Sequence, residues 1–468
     1  MKILRRLMLC ATLASLALPA VVLGGGGGKK GASGFRVPVE YFKLPNGLRV
    51  VLSEDHTSPT VAVAAYYKIG FRIEPRDRTG FAHLFEHMMF QGSENLGKME
   101  FIKLVQSNGG VLNGSTRFDF TNYFQVVPAN KLETILWAEA DRMRGLSITQ
   151  ENLTNQIGVV SNEVKVNVLN RPYGGFPWLD MPQVANTNWH NAHNFYGDLK
   201  DLEAATLEDV KKFFSLYYAP NNAALVVVGD FEPGQARALI KKYFDGIKAG
   251  PPPEFPDLTE PRQEKEKWQS KADKLATRPA LAFAYQMPPR NSREYWAMGL
   301  LDQLLLQGDD SLLRRKLVKE LGYTGEVEGG INLLGNMYNY EGPMLWMASL
   351  YHDAGTKPEQ IMAAVDAVIE PLQTKALDGR VVEKALVKLR SDYYSTLEQF
   401  SGFGRADLLA SLTLFDDDPS RINDIESQFR KVTPEVIRKT AAEYLRRGNR
   451  TVLTVQPAPA ATDDKQTN

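Results

Sequence analysis

The sequence predicts two homologous α+β domains in tandem, each an antiparallel sheet with helices packed on one face. Three observations predict this. Runs of β-branched and aromatic residues alternate with amphipathic stretches from about Phe35 onward. A Gly- and Pro-rich segment divides the chain. One order of helix, break and strand recurs on both sides of it. At 468 residues there is length for two ordinary cores.

Residues 1-34 read as an address. Lys2, Arg5 and Arg6 form a basic start and Leu7 to Leu23 an apolar run, as in a secretory signal, with cleavage expected after Ala17 or Gly24. Gly24 to Gly28 then make a flexible spacer. This reading makes the chain an exported bacterial protein, periplasmic or secreted, with no membrane attachment after cleavage. The single cysteine, Cys10, lies inside that segment, so the mature protein is expected to be held by packed cores without disulfides.

The N-terminal domain is expected over 35-247. Leu48 to Ser53, Val61 to Tyr67, Asn122 to Val127 and Ala223 to Val228 read as strands. Thr79 to Phe90, Met99 to Ser107, Lys131 to Leu146 and Gln150 to Leu169 read as helices. Thr206 with Asp209 opens another that runs to Tyr218 before Pro220-Asn221-Asn222 stops it. Gly250 to Pro256 and the charged stretch to Lys274 read as a linker, 248-274. A C-terminal domain over 275-457 and a flexible tail, 458-468, complete the expected plan. Thr206, Glu208, Val210, Lys212 and Tyr217 match Thr433, Glu435, Ile437, Lys439 and Tyr444, an offset of 227 positions (433 − 206). The strands that follow share the offset. Gly109-Gly110-Val111 likewise resembles Gly329-Gly330-Ile331.

Lys+Arg 55 equals Asp+Glu 55, which argues against a general nucleic-acid binder, since those show a basic excess. The chemistry is concentrated at His83-Leu84-Phe85-Glu86-His87. Residues i and i+4 share a helix face, so His83 and His87 can place two imidazole nitrogens on one ion. Glu86 projects near that face and can take a proton from a zinc-bound water. Leu84, Phe85, Met88 and Phe90 supply the apolar support. A catalytic zinc site needs a third protein ligand. His190 and His193 form a second pair without one, and His56 and His352 show no constellation.

The segment is an inverted zincin motif, and its surroundings resemble the pitrilysin/insulysin family, which includes the mitochondrial processing peptidases. The resemblance spans nearly the whole mature chain and is strongest from Asn46 to Asp230, with Asn170-Arg171-Pro172-Tyr173-Gly174 and Tyr218 to Asn222 similar to segments of bacterial members. It implies that Glu163, within Val159-Val160-Ser161-Asn162-Glu163 and 76 positions after His87 (163 − 87), is the third ligand. Gln156 stands where many members carry a glutamate and is expected as an outer hydrogen-bond partner of the site. Asn113, Gly114 and Thr116 resemble the edge strand to which a peptide substrate adds.

The resemblance implies one zinc ion per chain and a two-domain unit forming half of a clam-shell chamber. Gly299, Asp302 and Gln303 stand against His83, Glu86 and His87 in the second copy, which therefore has no metal pair. Val318 and Gly325 stand where relatives carry an arginine and a tyrosine that polarise the scissile carbonyl. The expected function is a zinc endopeptidase acting on short or unfolded peptides. A homologous partner chain in a heterodimer, or a second copy in a homodimer, would supply the missing pair. The alternative is a non-catalytic structural or substrate-binding subunit, against which the intact His83, Glu86, His87 and Glu163 set argues.

Overall fold

Two sheets built to one plan carry the chain, seen in a computed structural model that describes residues 35–458. The expected signal and spacer, and the tail beyond Ala458, lie outside the described residues. The first sheet holds β1 (Glu40–Lys43), β2 (Arg49–Glu54), β3 (Thr60–Tyr67), β4 (Val111–Thr116), β5 (Thr121–Pro128) and β6 (Ala223–Gly229), in the order β1-β2-β6-β3-β5-β4. The second holds β7 (Lys267–Asp273), β8 (Ala280–Gln286), β9 (Glu328–Ile331), β10 (Leu345–Tyr351) and β11 (Arg450–Pro457), in the order β7-β11-β8-β10-β9. Remove β1, and the two orders coincide position for position.

Local sequence explains the repeat. Thr206 and Thr433 each accept a backbone N–H, from Asp209 and Val436, at the start of helices Leu207–Tyr217 and Pro434–Tyr444. Past each helix an asparagine closes the break: Asn222 Nδ2 donates to Tyr217 O at 2.8 Å, and Asn449 Nδ2 to Tyr444 O at 2.7 Å. β6 and β11 then enter their sheets as interior strands.

Two features correct the expected fold. The sheets are mixed, because β2 runs parallel to β6 and β7 parallel to β11. Each pair is joined by a long excursion through helices, which lets the returning strand run in the same direction. Helices also cover both faces. Val61, Val63, Ala65 and Tyr67 of β3 face the core that holds the histidine helix, Phe81–Met88. Ala62, Ala64 and Tyr66 face helix Phe403–Asp416 from the other half of the chain. Tyr66 Oη donates to Asp407 Oδ1 at 2.6 Å across this contact. Reciprocally, Phe176, Met181 and Ala185 pack on Ala280, Ala282 and Ala284 of β8. A strand buried on both faces reads as an unbroken apolar run, as Val61 to Tyr67 does.

Two boundaries also differ. The stretch read as linker to Lys274 contains β7, an edge strand whose mostly exposed, polar side chains mimic a linker in composition. The helix expected to Leu169 is α-helical only from Gln150 to Val164 and continues as a π-helical turn, Lys165–Leu169. Among the described residues no helix is long and apolar enough to cross a membrane.

Candidate metal centre

Helix Phe81–Met88 starts after Gly80, which sits in the left-handed region at φ 83°. No Ser, Thr or Asp caps it. Instead the buried carboxylate of Glu74 accepts from Gly80 N at 2.8 Å and Ala82 N at 2.5 Å, a charge-assisted cap at the positive end of the helix. Burial raises the Glu74 pKa, and His193 beside it opposes that shift. Phe85 stacks on Phe213 and Tyr218, each at 5.0 Å between ring centroids, so the apolar side is locked down. The opposite side presents His83, Glu86 and His87.

Helix Gln150–Val164, capped by Thr149 through Asn152 N, brings Glu163 to the same place in its last turn. His83 Nε2 lies 3.6 Å from Glu163 Oε1, and His87 Nε2 lies 3.3 Å from Oε2. The three donor atoms lie within 4.8 Å of one another, and this is the one such group of His, Cys, Asp and Glu among the described residues. Donors about 2.0–2.1 Å from a tetrahedral zinc ion stand roughly 3.3–3.4 Å apart, so the spacing fits that ion. The imidazoles meet nearly at right angles, 5.0 Å between centroids. Burial holds the His83 pKa below its usual value, which favours the neutral, ligating form. Hydrogen bonding from His87 is the main cause lowering the Glu163 pKa. His83 Nδ1 is buried and has no hydrogen-bond partner among the described residues.

Glu86 lies outside the donor group. Its Oε2 accepts from Thr116 Oγ1 at 2.8 Å, and Thr116, 4% exposed, also faces Ala82 O at 3.3 Å. β4 therefore runs beside the carboxylate. A Cβ on Gly114 would stand 3.4 Å from Glu86 Cγ and 3.2 Å from Tyr123 Cδ1, so the glycine leaves room for that carboxylate against the strand. Among the described residues β4 pairs only with β5, which leaves its outer edge unpaired. Asn113 on that strand accepts from the following backbone N–H, of Gly114, at 3.0 Å.

The structure thus gathers His83, His87, Glu163, Glu86, Thr116 and Gly114. Gln156 is buried, its amide donates to Asn155 Oδ1 at 2.8 Å, and no described hydrogen bond takes it to a ligand. His193 stacks on Trp189 at 4.3 Å and His190 bonds Arg72 O at 2.8 Å, both in packing roles. His56 lies 2.6 Å from both Asp230 and Glu54 at the surface. In the second copy, partly buried Asp302 accepts from Trp346 Nε1 at 2.7 Å and Gln307 Nε2 at 3.0 Å, which commits its carboxylate to hydrogen bonds.

Tyr196 is the residue that sequence reasoning missed. Its ring stands edge-on to His83 at 5.1 Å and its hydroxyl lies beside the Glu163 carboxylate. Burial, with the charges of Glu163 and Glu86, pushes that hydroxyl up to about 12, so it is a donor at neutral pH. No periodicity or spacing in the chain connects it to His83.

Comparison with known proteins agrees with this geometry. Residues 49–172, which hold all three donors and Glu86, match the model of the insulinase family, peptidase family M16. Residues 204–388 match the M16 inactive domain. The chain is 28% identical over 448 residues to the zinc protease PqqE of Helicobacter pylori, covering 94% of this chain and 98% of that protein. A crystal structure of a protease from Helicobacter pylori superposes with TM-score 0.82 at 26% identity, covering 90% of this chain and all of that one. The periplasmic protease PqqL of Escherichia coli shares the fold, with TM-score 0.72 at 17% identity; 90% of this chain matches 48% of that longer one. The two-sheet fold, the matched family models and the His83–His87–Glu163 group converge: this chain belongs to peptidase family M16.

Proposed function

We propose that the chain is a zinc-dependent endopeptidase of short or unfolded peptides, with His83, His87 and Glu163 as ligands and Glu86 as the base. The convergence of three donors beside a separately held carboxylate carries this reading. When bound, zinc polarises a carbonyl and acidifies water. Glu86 takes the proton of the attacking water and returns it to the leaving amine as the peptide C–N bond breaks. Thr116 holds Glu86 in place. The free edge of β4, at Asn113 and Gly114, grips the peptide backbone as an added strand, so recognition depends little on sequence. The donor set, two imidazoles and one carboxylate, is of the kind that would hold a catalytic zinc ion.

Val318 and Gly325 offer no carbonyl donor, and loss of one such donor typically costs about 2.7–4 kcal/mol. We therefore assign the missing arginine and tyrosine to a homologous partner chain closing a shared chamber. The basic, apolar start of the chain and the fold shared with a periplasmic protease support action outside the cytoplasm.

The test is Glu86→Gln assayed on a quenched peptide library alongside metal analysis. Hydrolysis should fall by orders of magnitude with one zinc retained; unchanged hydrolysis overturns the reading. Full activity of the purified chain alone removes the partner.

A further inference from the structure

One loop reaches the metal group from outside the two helices that carry it. Asn194 to Asp201 lies across the entrance to helix Phe81–Met88. Gly197 sits at φ +75°, and a Cβ there would fall 2.3 Å from Gly80 N and 2.4 Å from Thr79 C. Thr79 Oγ1 accepts from Asp198 N at 2.8 Å and donates to Asp201 Oδ2 at 2.5 Å. The loop is thereby fastened to the turn that starts the histidine helix.

From this base Tyr196 spans the gap between the two ligand-bearing helices. One side of its ring meets His83 at 64° between planes, and Trp178 meets it at 5.8 Å and 72°. Clamped between them, the ring has little rotamer freedom left. Its hydroxyl faces the carboxylate of Glu163, close enough for each to shift the other's proton affinity. That carboxylate is awkwardly placed. It lies in the last turn of its helix, where the macrodipole disfavours negative charge, is half-buried, and stands just ahead of a π-helical turn. A glutamate side chain free to rotate there must be ordered each time it takes up an ion. A fixed donor orders it beforehand, and partners of this kind typically change metal affinity about 10–100-fold.

We infer that Tyr196 is a positioning residue of the metal centre, its hydroxyl holding the Glu163 carboxylate and its ring bracing the His83 imidazole. The inference rests on the zinc reading above. Tyr196→Phe isolates the hydroxyl, since it keeps the ring against His83 and Trp178.

The experiment titrates zinc into the metal-free purified chain against a chromogenic chelator, for the wild type, Tyr196→Phe, Glu163→Ala and the double variant. Tyr196→Phe should weaken zinc binding about tenfold, leave the thermal midpoint of the metal-free protein unchanged, and lower kcat with KM unaltered. In the Glu163→Ala background it should weaken zinc no further. Equal affinity of Tyr196→Phe and wild type overturns the inference. So does the same tenfold loss without Glu163, or a lowered metal-free midpoint, which marks a purely structural hydroxyl. Wild type that takes up no zinc overturns the metal reading and this inference with it, an outcome distinct from the others.

Discussion

Thr116→Val removes one hydroxyl and leaves the shape of a β-branched side chain. That hydroxyl is 2.8 Å from Glu86 Oε2 and 3.3 Å from Ala82 O, in a position too buried for water to replace it. A hydrogen bond to a charged group contributes about 1.5–3 kcal/mol. If the bond serves to aim Glu86 at the attacking water, its loss appears in the transition state. At about 1.36 kcal/mol per tenfold in rate, kcat should fall roughly 10- to 150-fold. KM should not move, because the Thr116 hydroxyl is committed to Glu86 and Ala82 O. Steady-state hydrolysis of a quenched peptide, with thermal unfolding as the folding control, measures both constants. A kcat within twofold of wild type refutes the reasoning. A raised KM at constant kcat would return Thr116 to the substrate-binding role that the sequence suggests.

Zinc at about 100 times its Kd should stabilise the folded chain by roughly 2.7 kcal/mol, read as a rise in thermal midpoint. The shift should vanish in His83→Ala, and its persistence there would place the ion elsewhere. Burial pushes Asp302 from 3.8 up to about 6. Its protonated form therefore favours the folded state below about pH 4, and that contribution, about 3 kcal/mol at most, is lost as pH rises through 6. Asp302→Asn should flatten the decline between pH 4 and 7 in chemical denaturation; an unaltered slope would show that Asp302 is not its source.

His83, Glu86 and His87 were legible because the pairing rule that unites them is local to one helix turn. Glu163 was legible only through family spacing, since a glutamate near a helix end has no signature of its own. The duplicated order of helix, asparagine break and strand could be read from the offset between Thr206 and Thr433. Strand direction could not, because parallel pairing of β2 with β6 depends on what the intervening chain does in space. The unbroken apolar run of β3 did carry the sign of burial on two faces, but what covers the second face lies in residues 403–416 and has no local mark. β7 escaped notice for the opposite reason: an edge strand needs few apolar residues. Tyr196 acts through tertiary approach alone, and its loop has the composition of any surface connection.

Because each sheet is roofed partly by a helix from the other half, each half completes the other's core. Cut at the linker, the first would bare Ala62, Ala64 and Tyr66, and the second would bare the alanines of β8. This gives the half without ligands a reason to persist. It can do without the His–His–Glu group, but it cannot lose its shape without baring the core of the half that holds that group. Damaging substitutions in residues 403–416 should therefore silence the enzyme, although that helix supplies none of the metal donors.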